Sequence, residues 1–218
     1  MHTNKTKVNE NSVLKTFQRE IPSIYYSDKS SKEYEIFKKN AEKYYRDALK
    51  FPKDLFKGKD LIDFGGGTGE NSVYLAEWGA KCTLVEMNDK AQKISKEIFS
   101  KYTKNFQDHK FILSSIFEFD KPDLYNKFDI VHCRGVLSHT ADNRKAFNII
   151  SKYLKPGGYL IYGDPNKAGG FQNMLQRLIV YNFAKNWEEM IRISEELFSD
   201  DIDRAVKFGN RTRNCIIF

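Results

Sequence analysis

Three glycines at alternate positions, Gly65, Gly67 and Gly69, follow the short apolar run Leu61-Ile62 and the acid Asp63. The run reads as a buried strand, and the glycines as a tight turn into a helix that begins near Glu70-Asn71-Ser72. Glycine suits such a turn because a Cβ would block close backbone approach to a ligand or forbid a positive φ. The amides that open the following helix then face the ligand, as they do in nucleotide-binding turns. Spacing narrows the kind of nucleotide. A dinucleotide turn requires G-x-G-x-x-G, and counting from Gly65 its third glycine position holds Glu70. What stands here is G-x-G-x-G. Further on, Lys81-Cys82-Thr83-Leu84-Val85-Glu86 reads as a second strand ending in a carboxylate, which can accept hydrogen bonds from both hydroxyls of a ribose. The plain alternative for Glu86 is a helix-capping or solvated acid. His139 is a candidate proton acceptor at neutral pH, whereas His132 falls inside an apolar run and reads as a buried structural residue.

These residues need a frame that brings them to one edge. Strand and helix patterns alternate over 60–64, 72–78, 81–86, 89–104, 110–113, 128–133, 143–154 and 159–163. Such alternation implies an α/β fold, a mostly parallel sheet with helices on both faces. Ligands in these sheets bind beyond the carboxyl ends of the strands, near the switch in strand order. Asp63, Glu86, Ser115, Arg134 and Asp164 all fall at or just past strand ends and can ring one crevice. Ahead of this core, residues 1–11 read as disordered, 12–26 as a short helix running into an extended piece, and 31–49 as an amphipathic helix. Tyr34, Phe37, Ala41, Tyr44, Tyr45 and Ala48 recur along that helix at spacings of three and four, which gives it one apolar face. Tyr25, Tyr26 and Tyr34 either line the site or simply pack. Behind the core, 171–184, 187–198 and 200–208 read as helical, and Cys215-Ile216-Ile217-Phe218 as the start of a strand. Three regions result: an N-terminal helical cap with a disordered start over 1–58, the binding core over 59–164, and a helical lid over 165–218.

With Asp63 two residues before its first glycine, the turn resembles the first motif of class I S-adenosylmethionine-dependent methyltransferases. Phe128-Asp129-Ile130-Val131-His132-Cys133-Arg134-Gly135-Val136-Leu137 is similar to that family's fourth strand and the segment closing over the methyl donor. Leu154-Lys155-Pro156-Gly157-Gly158-Tyr159-Leu160-Ile161 is similar to its helix end, turn and fifth strand. The resemblance covers about residues 59–164, with the motifs in family order. It implies a Rossmann-like fold, S-adenosyl-L-methionine as methyl donor and S-adenosyl-L-homocysteine as product. By this resemblance Asp63, Gly65, Gly67, Gly69, Glu86, Met87, Ser115 and Arg134 bind the donor, with Glu86 on the ribose and Met87 along the adenine face. His139 then lies near the donor's methyl end, as a general base or as a packing residue. Arg134 takes an anionic acceptor or the donor's carboxylate, unless it forms a salt bridge with a neighbour.

Two departures stand out. The third strand should end in an acid near the adenine amino group, and Ser114 and Ser115 stand there instead. A serine hydroxyl accepts from that amine without the charge assistance of a carboxylate. The family also closes its sheet with an antiparallel hairpin, and here one candidate strand begins where the sequence ends. The expectation is a truncated form of a longer protein, the alternative a sheet closed in another way. Gly163-Asp164-Pro165-Asn166-Lys167 superficially matches the Asp/Asn-Pro-Pro-aromatic motif of amino-methylating nucleic-acid enzymes, but it lacks the second proline and the aromatic and follows the wrong strand.

Composition narrows the partners. The net charge of +7 is uneven: residues 1–58 hold thirteen Lys and Arg against eight Asp and Glu, and the remainder is nearly balanced. Lys38, Lys39, Lys43 and Arg46 share a helix with Glu35, Glu42 and Asp47, which reads as a solvated surface rather than a nucleic-acid stripe. No apolar run approaches the ~20 residues that cross a bilayer. Cys82, Cys133 and Cys215 are far apart, with no metal-ligand spacing or disulfide framework, and a reduced cytoplasmic setting follows as the default. The expected activity is methyl transfer to an oxygen or nitrogen of a small molecule. The alternatives are an RNA-modifying methyltransferase and a non-catalytic partner subunit that keeps the fold.

Overall fold

The computed structural model describes residues 4–19 and 31–163, together with Leu178, Asn182, Phe183, Lys185, Asn186 and Glu189. The chain divides into two units, Met1–Asp164 and Pro165–Phe218. In the second, the Asn182 side-chain amide donates to the Leu178 carbonyl (2.7 Å), and Phe183 is exposed. The other residues of the lid expected over 165–218, Asp164, Tyr25, Tyr26 and the strand expected at Cys215-Phe218 lie outside the described residues, Lys185, Asn186 and Glu189 excepted.

The first unit is built on five parallel strands: β1 (Asp60–Phe64), β2 (Lys81–Glu86), β3 (Lys110–Leu113), β4 (Phe128–Arg134) and β5 (Leu154–Gly163), in the order β3-β2-β1-β4-β5. The strand order reverses between β1 and β4, so the crevice such sheets offer to ligands lies beyond the ends of these two strands. The helices are α1 (Asn4–Arg19), α2 (Ser31–Glu42), α3 (Val73–Glu77), α4 (Asp89–Tyr102) and α5 (Asn143–Ser151). This is the Rossmann-like α/β architecture expected from the sequence.

Side-chain alternation along the strands supplies two cores. Leu61, Leu84, Ile130 and Ile161 pack on one face with Tyr34, Tyr45, Tyr74 and Phe99. Ile62, Phe64, Val85, Val131 and Cys133 pack on the other with Phe119, Ile150 and Tyr153. Successive strand residues therefore serve opposite faces, as the period of two requires.

Three boundaries differ from the sequence reading. α1 begins at Asn4, within the stretch read as disordered. The expected helix over 31–49 is α-helical only to Glu42, and a π-helical turn, Lys43–Ala48, continues it. The last α/β connection also shifts: α5 ends at Ser151, and Pro156 lies inside β5 rather than at a helix end. The pairing of β4 with β5 is irregular between Phe128 and Ile130. Gly158 answers to that irregularity, because a Cβ there would stand 2.7 Å from the Asp129 carbonyl oxygen.

Candidate functional site

The glycine turn springs from the end of β1, where the amides of Gly65 and Gly66 both donate to the Val85 carbonyl (2.8 and 3.3 Å). Gly65 has φ +71°, and a Cβ there would lie 2.5 Å from a methyl of Val136. Gly67 has φ +53°, and its missing Cβ would meet nothing within 4 Å. Gly65 is thus required by packing as well as by backbone conformation, and Gly67 by backbone conformation alone, on an open side of the turn.

Glu86 closes the turn from β2. One carboxylate oxygen accepts from the Gly67 amide (2.8 Å), the other from the Asn88 amide (2.8 Å). Burial raises its pKa, and the amides of Asn88, Gly67 and Met87 oppose that shift by stabilising the ionised form. Each oxygen retains a lone pair beyond its amide partner, which is what a pair of ribose hydroxyls would need. Asn88 also caps α4, its Oδ1 accepting from the Lys90 and Ala91 amides (3.1 and 3.4 Å). Met87 stands beside this pair, half-buried.

Asp63 points the other way. Its carboxylate is 2% exposed, accepts from the Ser72 hydroxyl, and lies 2.8 Å from Nδ1 of a fully buried His132. Nε2 of His132 lies 2.8 Å from the hydroxyl of Tyr45, which is also fully buried. In a neutral imidazole that donates Nδ1–H to Asp63, Nε2 accepts and the Tyr45 hydroxyl donates. The chain Ser72–Asp63–His132–Tyr45 links the turn after β1, β4 and the π-helical turn before the sheet. Burial also raises the Tyr45 pKa, which keeps its donor proton in place.

Arg134 ends β4, two residues beyond His132 and on the same face. Its guanidinium sits 3.7 Å from the ring centroid of Tyr44 and makes a long hydrogen bond to Asn71 Oδ1 (3.5 Å). No carboxylate among the described residues pairs with it. Gly163, at the end of β5, allows this stack: a Cβ there would lie 3.3 Å from Arg134 Cγ and 3.5 Å from the Tyr44 hydroxyl.

Ser115 is buried, and its hydroxyl accepts from the Glu118 amide (3.2 Å) while that of Ser114 turns back to the Ser115 carbonyl (3.0 Å). His139 is half-buried at the end of the 3₁₀ turn Leu137–His139. Its ring meets Phe17 of α1 edge-on at 5.5 Å, and its carbonyl accepts from the Asn9 side chain (3.2 Å). The other end of α1 is tied to the start of α4, with Asn88 Nδ2 donating to the Phe17 carbonyl (3.1 Å) and Gln18 to Asp89 (2.9 Å).

Gly65, Gly67, Gly69, Glu86, Met87, Ser115, Arg134 and His139 thus stand at the carboxyl edge of one sheet, while the Asp63 carboxylate is turned into the core beneath it. Sequence reasoning missed the partnership of Tyr45 with His132 and the stack of Tyr44 on Arg134. The signal was present in the doublet Tyr44-Tyr45 on an apolar helix face, opposite strand residues spaced by two. No cluster of His, Cys, Asp or Glu among the described residues could hold a metal, and no helix among them is long and apolar enough to cross a membrane.

The methyltransferase domain family matches residues 37–199. The ubiquinone biosynthesis O-methyltransferase of Nitrosospira multiformis is 29% identical over 110 residues, half of this chain and 44% of that protein. The dimethylglycine N-methyltransferase of Parasynechococcus marenigrum is 25% identical over 175 residues, 73% of this chain and 60% of that protein. Among solved structures, phosphoethanolamine N-methyltransferase 1 of Haemonchus contortus, bound to phosphoethanolamine and S-adenosylhomocysteine, superposes with a TM-score of 0.51 at 16% identity, over 71% of this chain and 32% of that one. The chain spans about half the length of the curated relatives it matches.

Proposed function

Because the chain belongs to the class I S-adenosylmethionine-dependent methyltransferase family, we propose that it transfers the methyl group of S-adenosyl-L-methionine to an oxygen or nitrogen of a small-molecule acceptor. The observation that carries this reading is the Glu86 carboxylate held between the Gly67 and Asn88 amides on the open side of the glycine turn. Relatives named as both O- and N-methyltransferases support the acceptor atoms. A cytoplasmic setting suits the buried thiols of Cys82 and Cys133, neither of which is in a disulfide.

The bound donor supplies a sulfonium whose methyl group is already activated, so the protein's work is to bind, align and exclude water. Glu86 receives the ribose hydroxyls, and the Gly65–Gly69 turn lets the backbone approach the methionine arm. Met87 lies along the adenine, and the Ser115 hydroxyl, which keeps a proton and a lone pair beyond its bond to Glu118, meets the adenine edge. Arg134 receives the donor's carboxylate. Glu86 and Arg134 end strands two apart in the sheet, about 10 Å at the usual strand spacing. An extended donor reaches on the order of that distance between its ribose hydroxyls and its carboxylate. Asp63 acts from beneath, holding Ser72 and His132 so that the turn and the end of β4 keep their relative place. His139 takes the proton that an oxygen or ammonium acceptor sheds.

Calorimetric titration with S-adenosylmethionine and S-adenosylhomocysteine tests the reading, with Gly67→Arg and Glu86→Ala as controls. Binding to the wild-type chain that both variants lose is the expected result. A folded wild-type chain that binds neither compound would point instead to a non-catalytic relative.

A further inference from the structure

Tyr44 and Tyr45 are adjacent in the chain, yet they engage β4 at alternate residues, Tyr44 at Arg134 and Tyr45 at His132. The π-helical turn Lys43–Ala48 accommodates this, with the amides of Leu49 and Phe51 donating to the carbonyls of Tyr44 and Tyr45 (3.0 and 2.9 Å). The two tyrosine rings meet edge-on at 5.0 Å. Tyr45 is fixed from every side: its hydroxyl by His132, its ring by Phe56, Tyr74 and Trp78. Tyr44 is only half-buried, and its ring is the flat surface under a guanidinium that pairs with no carboxylate among the described residues.

We infer that Tyr44 and Tyr45 are positioning residues for the donor's carboxylate: Tyr45, locked to His132, fixes Tyr44, and Tyr44 holds Arg134 flat and aimed into the crevice. The inference rests on the donor reading given above. An arginine on a flexible stem loses side-chain freedom when it binds an anion, and a ring that already orders it removes part of that cost. Stacking also leaves the guanidinium edge, with its N–H donors, facing a carboxylate. The Asn71 contact restrains the same edge weakly, at 3.5 Å. No atom of either tyrosine need touch the donor.

The test compares two ligands that share the adenosine and differ in the amino-acid arm: S-adenosylhomocysteine, with the carboxylate, and 5′-methylthioadenosine, without it. Titration calorimetry on the full chain gives a ratio of the two dissociation constants. Arg134→Ala sets the value of that ratio when the subsite is gone. Tyr44→Leu removes the ring and is expected to weaken S-adenosylhomocysteine about tenfold while leaving 5′-methylthioadenosine unchanged. Tyr44→Phe keeps the ring and should keep the wild-type ratio. Tyr45→Phe loses only the hydroxyl and should weaken S-adenosylhomocysteine about threefold, again with no change for the shorter ligand. Parallel weakening of both ligands in the tyrosine variants, or an unchanged ratio, would overturn the inference, since a merely structural role cannot sense the carboxylate. Should Tyr45→Phe unfold, the Tyr44 pair still decides. Failure of the wild-type chain to bind either compound sinks the donor reading itself, and with it this inference.

Discussion

The two faces of β1 and β4 are made from the same strands and do different work. On one, Ile62, Phe64, Val131 and Cys133 are buried against Phe119, Ile150 and Tyr153, and the contacts are almost wholly apolar. On the other, Asp63 and His132 are buried just as deeply but are joined to each other, to Ser72 and to Tyr45 by hydrogen bonds. An apolar face tolerates small shifts in its neighbours, since dispersion and burial are not directional. A buried hydrogen-bonded chain does not, because each group left without a partner is costly. The geometrically demanding face thus ties the strand end beneath the glycine turn to Ser72, to β4 and to the π-helical turn.

Truncating one residue on each face breaks this comparison most directly. His132→Ala leaves the Asp63 carboxylate and the Tyr45 hydroxyl without their shared partner in a dry interior. It should lower stability by about 4 kcal/mol in denaturant melts. It should also weaken S-adenosylhomocysteine in the molecules that remain folded. Ile150→Ala, on the apolar face, should cost about 3 kcal/mol through its cavity, with the dissociation constant of the folded protein unchanged. Equal effects of both variants on ligand affinity would mean that the polar chain is only another piece of core.

A second test moves to the edge of the site. Burial raises the Glu86 pKa against the pull of three backbone amides, so the folded state holds this proton more tightly than the unfolded chain does. The sign follows by linkage: this group's contribution to stability is full below the ordinary glutamate value of 4.5 and is lost as pH rises through the raised value. Ligand affinity runs the opposite way, because ribose hydroxyls need the ionised carboxylate as acceptor. Affinity for S-adenosylhomocysteine should fall about tenfold per pH unit below a midpoint that lies above 4.5, and Glu86→Gln should flatten the profile. A midpoint at or below 4.5, or an unchanged profile in the variant, would remove Glu86 from the ribose.

How far the sequence reveals this arrangement depends on whether the signal is local. The turn Gly65–Gly69 and the acids Asp63 and Glu86 are short-range patterns, and the strands that carry them are apolar runs of strand length. Their parallel arrangement follows from the α/β alternation, whereas the order β3-β2-β1-β4-β5 is seen only in the structure. The direction of the Asp63 carboxylate is different, since an acid before a glycine turn reads alike whether it faces a ligand or the core. What turns it inward is the pairing of Asp63 with His132 across β1 and β4, residues far apart in the chain. The Tyr45–His132 bond spans a similar separation. The π-helical turn has no composition of its own, and only tertiary contact with β4 distinguishes Tyr44 from Tyr45. The early start of α1 is likewise a tertiary effect: its sequence is polar, and Asn9, Phe17 and Gln18 gain partners only once α4 and the turn after β4 are in place.

The smallest effect belongs to Ser115, at the site's far edge beyond β3. Its hydroxyl is half spent on the Glu118 amide at 3.2 Å, so a ligand gains at most one neutral hydrogen bond from it. Ser115→Ala should weaken 5′-methylthioadenosine by about threefold. Ser115→Asp should strengthen it by a similar factor of about three, because an ionised acceptor forms the stronger bond to the adenine amino group. The inosine counterpart of the ligand presents a carbonyl where adenine carries that amine, so neither variant should improve its binding. If both variants bind the two nucleosides as the wild type does, the adenine is read by backbone groups alone. The contrast between a directional polar face and a tolerant apolar one would then stop at β2, with Glu86 as the last side chain whose placement the ligand senses.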